Sequence, residues 1–210
     1  MPSVSFFRFL RDLFNRAPQA EPTAAAPDPA SSITAGPEPD PEPRIAWGAK
    51  VTADFKHKVI TIAGRLKMEP DHLMAIMAFE TGRSFDPAVT NHAGSGATGL
   101  IQFMPRTAQG LGTSTAALKR MSAIDQLDYV ERYLKPYAGR MGDLQSAYMA
   151  VLYPRAIGKP SDHVLFRKGS VAYKLNRGLD RNGDGSITKA EAAERVVALL
   201  AEGLRPGNLG

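Results

Sequence analysis

The chain has 210 residues, 26 Lys and Arg against 21 Asp and Glu, and no cysteine. That length allows one good-sized domain with appendages, and the missing thiols exclude disulfides and thiolate metal sites. The formal charge of +5 is unevenly spread: residues 1–46 hold four Arg and six acidic residues, and the remainder holds 22 basic and 15 acidic. A positive body fits an anionic polymer. No nucleic-acid-binding pattern accompanies the charge, so nucleic acid is not expected as a partner.

Residues 3–16, SVSFFRFLRDLFNR, form a short amphipathic segment with Phe6, Phe7, Phe9, Leu10, Leu13 and Phe14 as its apolar side. It is too short to span a bilayer, and its charges and lack of a nearby small-residue cleavage site make a poor secretory signal. Two readings stand: contact with a membrane surface or a partner, or a short helix packed on its own domain. Residues 17–46 contain eight of the sixteen prolines among Ala, Glu and Asp. Such a composition reads as an extended linker, because it cannot bury enough apolar surface to offset chain entropy.

Helical periodicity begins at Thr52, an N-cap candidate, with Phe55, Val59, Ile62 and Leu66 on one face. Arg65 and Lys67 suit the negative end of that helix dipole. Pro70 opens the next helix, and its run DHLMAIMAFE puts Leu73, Ile76, Met77 and Glu80 on one face. Thr81-Gly82 ends it. A carboxyl on an apolar face is costly to ionise, and desolvation raises a carboxyl pKa toward the range where it can donate a proton near neutrality. The alternative is a capped or salt-bridged Glu at a helix terminus.

The stretch from Thr81 to Ala108, TGRSFDPAVTNHAGSGATGLIQFMPRTA, is rich in Gly, Ser, Thr and Asn and reads as a loop folded against that helix end. Pro105 suits the first turn of a new helix. Three features stand together: Glu80 at a helix end, Phe85-Asp86-Pro87, and the block Gly96-Ala97-Thr98-Gly99-Leu100-Ile101-Gln102-Phe103-Met104-Pro105-Arg106-Thr107-Ala108. With them the chain resembles the soluble lytic transglycosylases, relatives of goose-type lysozyme. The family's A-Y-N-A-G element is present in altered form as Ala147-Tyr148-Met149-Ala150-Val151, and the resemblance covers about Val51 to Tyr153. Thr81 in place of Ser, a longer stretch between Glu80 and Gln102, and Met149 and Val151 depart from the common pattern and resemble a phage or prophage branch.

Further helices are expected around 105–110, 114–121, 123–137 and 143–152, with Asp143 capping the last. A short hairpin near 85–98 is compatible with the pattern, and no alternating strand stands out. The expected architecture is mainly α: a lysozyme-like helical domain over 47–169 with a catalytic cleft.

Residues 180–191, DRNGDGSITKAE, match an EF-hand loop at each position. Asp180, Asn182, Asp184, Ser186 (through its carbonyl), Thr188 (directly or through water) and Glu191 are the oxygen ligands, with Gly185 at the turn. Thr188 and Glu191 also make a capping box for the helix that follows, and both roles can coexist. One calcium ion is expected as a structural clamp on a C-terminal unit spanning 170–203.

The resemblance implies cleavage of the β-1,4 bond between N-acetylmuramic acid and N-acetylglucosamine in peptidoglycan. Glu80 would be general acid and then base, and no cofactor would take part in catalysis. It implies that Gln102 and Tyr148 contact substrate, with Thr98, Phe103 and Met104 beside them or forming the floor. Asp86 is the nearest second carboxylate, in a setting that matches the family's structural aromatic-x-Pro turn. His57, His72, His92 and His163 show no metal spacing. The rivals are a hydrolytic lysozyme with the same acid and a non-catalytic wall-binding component. A monomer acting on the cell wall is expected.

Overall fold

The computed structural model describes residues 43–91 and 95–210. The amphipathic segment 1–16, most of the linker and His92 lie outside the described residues. The linker's expected end at residue 46 is corrected to before Ile45. Ile45 and Ala46 are buried with Trp47, and Ile45 exchanges backbone hydrogen bonds of 2.9 and 3.3 Å with Gly210.

Eight α-helices and a two-stranded sheet follow among the described residues. They are α1 (Ala53–Leu66), α2 (Pro70–Thr81), α3 (Pro105–Gly110), α4 (Thr115–Leu118), α5 (Ala123–Leu134), α6 (Leu144–Leu152), β1 (Val164–Arg167), α7 (Val171–Asn176), β2 (Ser186–Thr188) and α8 (Lys189–Gly203). Their starts follow local chemistry. Thr52, Ser122 and Asp143 accept from the backbone N–H three residues on, satisfying donors the helix cannot. Pro70 and Pro105 stand in first turns, where the missing N–H costs nothing. The helix expected over 123–137 ends at Leu134 and tightens to a 3-10 turn over Lys135–Tyr137, because Pro136 cannot supply the next α-helical bond.

On α1 the face Phe55, Val59, Ile62 and Leu66 is buried as its spacing requires. One flank of that face carries ion pairs to α5: Arg65 forks onto Glu131 at 2.6 and 2.7 Å, and Lys58 meets Asp128 at 2.6 Å. Helix α2 is different. Every residue from Leu73 to Thr81 is buried, so it has no solvent face, and α1, α6 and α8 all pack on it. A helix enclosed on all sides reads as apolar all round, and Glu80 is the one ionisable group within that buried run.

The most extensive inter-helix contact is between α2 and α8, followed by α6 and α8. The C-terminal helix is thus part of the body that holds Glu80. β1 pairs antiparallel with β2, with Phe166 opposite Ile187 and an irregularity between Val164 and Phe166. Both side chains are buried, so the short strand within the 180–191 loop has an apolar partner from the preceding segment. No helix among the described residues is long and apolar enough to cross a membrane.

Candidate active site

Glu80 lies in the last turn of α2 and is 4 % exposed. The end of the helix is closed by the chain beyond it. Gly82 adopts φ 62°, and its N–H points at Phe79 O while Arg83 N donates to Ala78 O at 2.7 Å. These paired bonds are a Schellman closure, for which a left-handed glycine is the natural residue. Thr81 donates its hydroxyl to Met77 O at 2.7 Å and accepts from Phe85 N at 3.0 Å. That hydroxyl ties the helix end to the aromatic-x-Pro turn, as the Ser it replaces would.

Phe85 stands at φ 51° with its ring 6.2 Å from Phe55 and 6.3 Å from Trp47. Asp86 is exposed, and its Oδ1 accepts from Ala88 N at 2.8 Å. This is an Asx turn, a structural use of the second carboxylate.

The loop then folds back on itself. Thr98 bridges to both Thr90 and Phe103, so the hairpin anticipated near 85–98 is reduced to single pairings. Between Thr98 and Phe103 the residues Gly99-Leu-Ile-Gln102 form a tight turn, closed by Gln102 N on Gly99 O at 2.9 Å. Gly99 takes φ 87° and Gln102 φ 50°.

Of the residues expected along the substrate path, Gln102 is 3 % exposed and its Nε2 donates to Val89 O at 2.9 Å and Gly99 O at 3.1 Å. In this structure its amide hydrogens staple the loop. Tyr148 is 2 % exposed and its ring meets that of Phe79, the neighbour of Glu80, edge-on at 5.6 Å. Thr98 is buried with its hydroxyl on Gly96 O at 3.2 Å, and Met104 is the buried residue before α3. Phe103, expected beside the substrate path or as its floor, lies in the core: it has no exposed surface and packs edge-on against Tyr133 at 6.3 Å.

Sequence reasoning missed Gln126. It is fully buried, and its Oε1 accepts from Leu100 N at 2.6 Å while Nε2 donates to Pro87 O and Leu118 O. One amide joins the motif turn, the Phe85-Asp86-Pro87 turn and α4. The signal was present, since Gln126, Val130 and Tyr133 share a helix face, and a polar residue in a buried row needs partners.

The 180–191 loop is folded by its own side chains. Asp180 accepts from Gly183 N and Gly185 N, Asn182 from Asp184 N, and Asp184 from Ser186 N at 2.7–3.0 Å. Glu191 Oε2 accepts from Thr188 N and Thr188 Oγ1, and Oε1 from Arg181 N. The capping box is therefore present. The Tyr173 hydroxyl donates to Asp180 at 2.6 Å and, with the loop N–H groups, holds its carboxyl below the usual range. Burial works against ionisation of Glu191, yet the Thr188 and Arg181 donors outweigh it and keep that carboxyl low as well.

The donor set is all oxygen with three carboxylates, which fits a hard cation. Among the described residues, however, no three of His, Cys, Asp or Glu converge as a metal cluster.

Lys189, also unforeseen, is 2 % exposed. Its Nζ donates to Ser146 Oγ at 2.9 Å and Lys159 O at 2.8 Å, with Asp143 Oδ1 3.9 Å away. It joins the end of the acidic loop to α6, the helix that carries Tyr148.

No curated protein and no solved structure matches the chain. The family model for the Transglycosylase SLT domain matches residues 58–151, a span that contains Glu80, the motif turn and Tyr148. Residues 58–151 are a Transglycosylase SLT domain with the lysozyme-like helical fold, of a family whose members are lytic transglycosylases acting on peptidoglycan.

Proposed function

We propose that Glu80 is the single acid and base of a non-hydrolytic cleavage between N-acetylmuramic acid and N-acetylglucosamine. Desolvation disfavours a carboxylate at so buried a position, so Glu80 acts first as the neutral acid and protonates the glycosidic oxygen. The bond from that oxygen to C1 of the muramic residue breaks, and an oxocarbenium-like centre forms. The 6-hydroxyl of the same sugar then attacks C1 and gives its proton to the Glu80 carboxylate. The product is a 1,6-anhydro end, and the acid is regenerated.

The observation that carries this reading is the burial of Glu80 at a closed helix end inside the matched domain. The engagement of Asp86 in an Asx turn supports a one-carboxylate route over a retaining lysozyme, which needs a second carboxylate as nucleophile. Gln102 and Tyr148 are proposed to orient the glycan. Mass analysis of digested sacculi tests the reaction: anhydro ends support it, and only hydrated reducing ends would assign a hydrolytic lysozyme.

The 180–191 loop is proposed to hold one calcium ion through Asp180, Asn182, Asp184, the Ser186 carbonyl, Thr188 and Glu191. When bound, the ion supplies a structural clamp at the start of α8 and takes no part in the cleavage. The loop's turns support this, while Glu191 must release its hydrogen bonds to Arg181 and Thr188. Lys168, Lys174 and Arg177 line the same groove as Asp180 and Asp184, and their charge weakens affinity for a cation.

A further inference from the structure

Three residues beyond Glu80, Arg83 carries a contact that the cleavage does not use. Its Nε and Nη2 donate to Glu202 Oε1 and Oε2 at 2.8 and 2.7 Å. This two-bond fork raises the guanidinium pKa and lowers that of the carboxyl. Glu202 lies in the last turn of α8, outside the matched residues 58–151.

The same end of α8 is gripped from a second side. Trp47 Nε1 donates to Leu199 O at 2.9 Å, and Trp47 N to Gly203 O at 3.1 Å. A Cβ on Gly203 would come 2.4 Å from the indole, so glycine is required for this approach. The indole in turn meets Phe85. The turn from Thr81 to Phe85 is thus held between α8 and Trp47, neither of which belongs to the matched domain.

That turn does not keep its shape by local preference. Gly82, Arg83 and Phe85 all have positive φ, at 62°, 75° and 51°, and for Arg and Phe this is a sparsely populated conformation that the surroundings must impose. Arg83 N closes on Ala78 O, so a shift of the turn moves the last turn of α2, where Glu80 sits. A displacement of about 1 Å at a reacting group is enough to cost roughly a hundredfold in rate.

We propose that Arg83 and Glu202 are positioning residues for Glu80, the fork pinning the turn that fixes the direction of its carboxyl. The inference rests on the reading of Glu80 as the acid. The pair is partly exposed, with side chains 53 and 31 % accessible, so its direct share of stability is small and its effect belongs in the rate.

The test is steady-state cleavage of soluble uncrosslinked glycan strands by the full chain, with Arg83→Met, Glu202→Gln, Arg83→Lys, the swap Arg83→Glu/Glu202→Arg, and Glu80→Gln. The two single neutral variants are expected to lose about tenfold in kcat, with KM within twofold, a displaced pH–rate profile and near-native melting. The swap recovers most of the rate. Arg83→Lys recovers only part, because an ammonium is a point charge without the planar fork. Wild-type kcat and pH profile in both neutral variants, alongside an inactive Glu80→Gln, would overturn the positioning role alone. An active Glu80→Gln would overturn the reading of Glu80 and this inference with it.

Discussion

A β-carbon on Gly99 would lie 2.2 Å from Gln126 Oε1. The glycine of the motif turn and the amide of α5 therefore occupy one interlocked space. Because Gly99 is absent a side chain, Gln126 can reach Leu100 N at 2.6 Å and still hold Pro87 O and Leu118 O.

Gly99→Ala is expected to cost about 3 kcal/mol, from the left-handed φ of 87° and the clash with Gln126 together. Gln126→Ala strands one donor and two acceptors and costs about as much. Since the two side chains compete for the same volume, the double variant loses less than the sum. Urea unfolding of the three variants measures this, and strict additivity would show that the two sites are independent.

Lys189→Met removes a buried ammonium and its bonds to Ser146 and Lys159 O. The expected loss is about 2–3 kcal/mol, with α6 and the 180–191 loop loosened together. Hydrogen exchange checks the coupling: faster exchange confined to the loop, with α6 unchanged, would deny that Lys189 joins them.

Calcium is expected to raise the melting temperature and EDTA to lower it. Glu191→Gln should abolish that response, while Thr188 keeps its bond to Glu191 N as an N-cap. Superimposable melting curves in calcium and EDTA would remove the ion from the account.

Burial lowers the pKa of His72 against the opposing charges of Glu69, Asp71 and Asp143. A group with a depressed folded pKa contributes stability that is present above its unfolded value and lost as pH falls through the folded one. Stability should therefore begin to fall below about pH 6.5, before carboxylates such as Glu191 and Glu202, whose own contributions go below about pH 4.5. In His72→Gln the upper part of this decline should be absent. An unchanged slope between pH 6.5 and 5 would contradict the assignment.

Much of this arrangement was legible in the chain. Thr52, Ser122 and Asp143 cap where their chemistry directs, and Thr81-Gly82 ends α2 because glycine accepts the left-handed closure. The SLT motif pointed to the family without coordinates. The run DHLMAIMAFE is almost wholly apolar, but which helices cover it, α1, α6 and α8, is a tertiary fact with no local period. The strands β1 and β2 went unseen for a related reason. At four and three residues they are shorter than any alternation can mark. Phe103 shows a motif's limit: it marks a position, while burial and the turn between Thr98 and Phe103 put that side chain in the core. The Arg83–Glu202 fork joins residues 119 apart, beyond any local pattern.

The most direct measurement is release of soluble fragments from purified sacculi by wild type and Glu80→Gln at matched concentration. With Glu80 as proton donor and acceptor, the variant should keep its fold and lose activity by roughly 10²–10⁴. Wild-type release by Glu80→Gln would contradict the account.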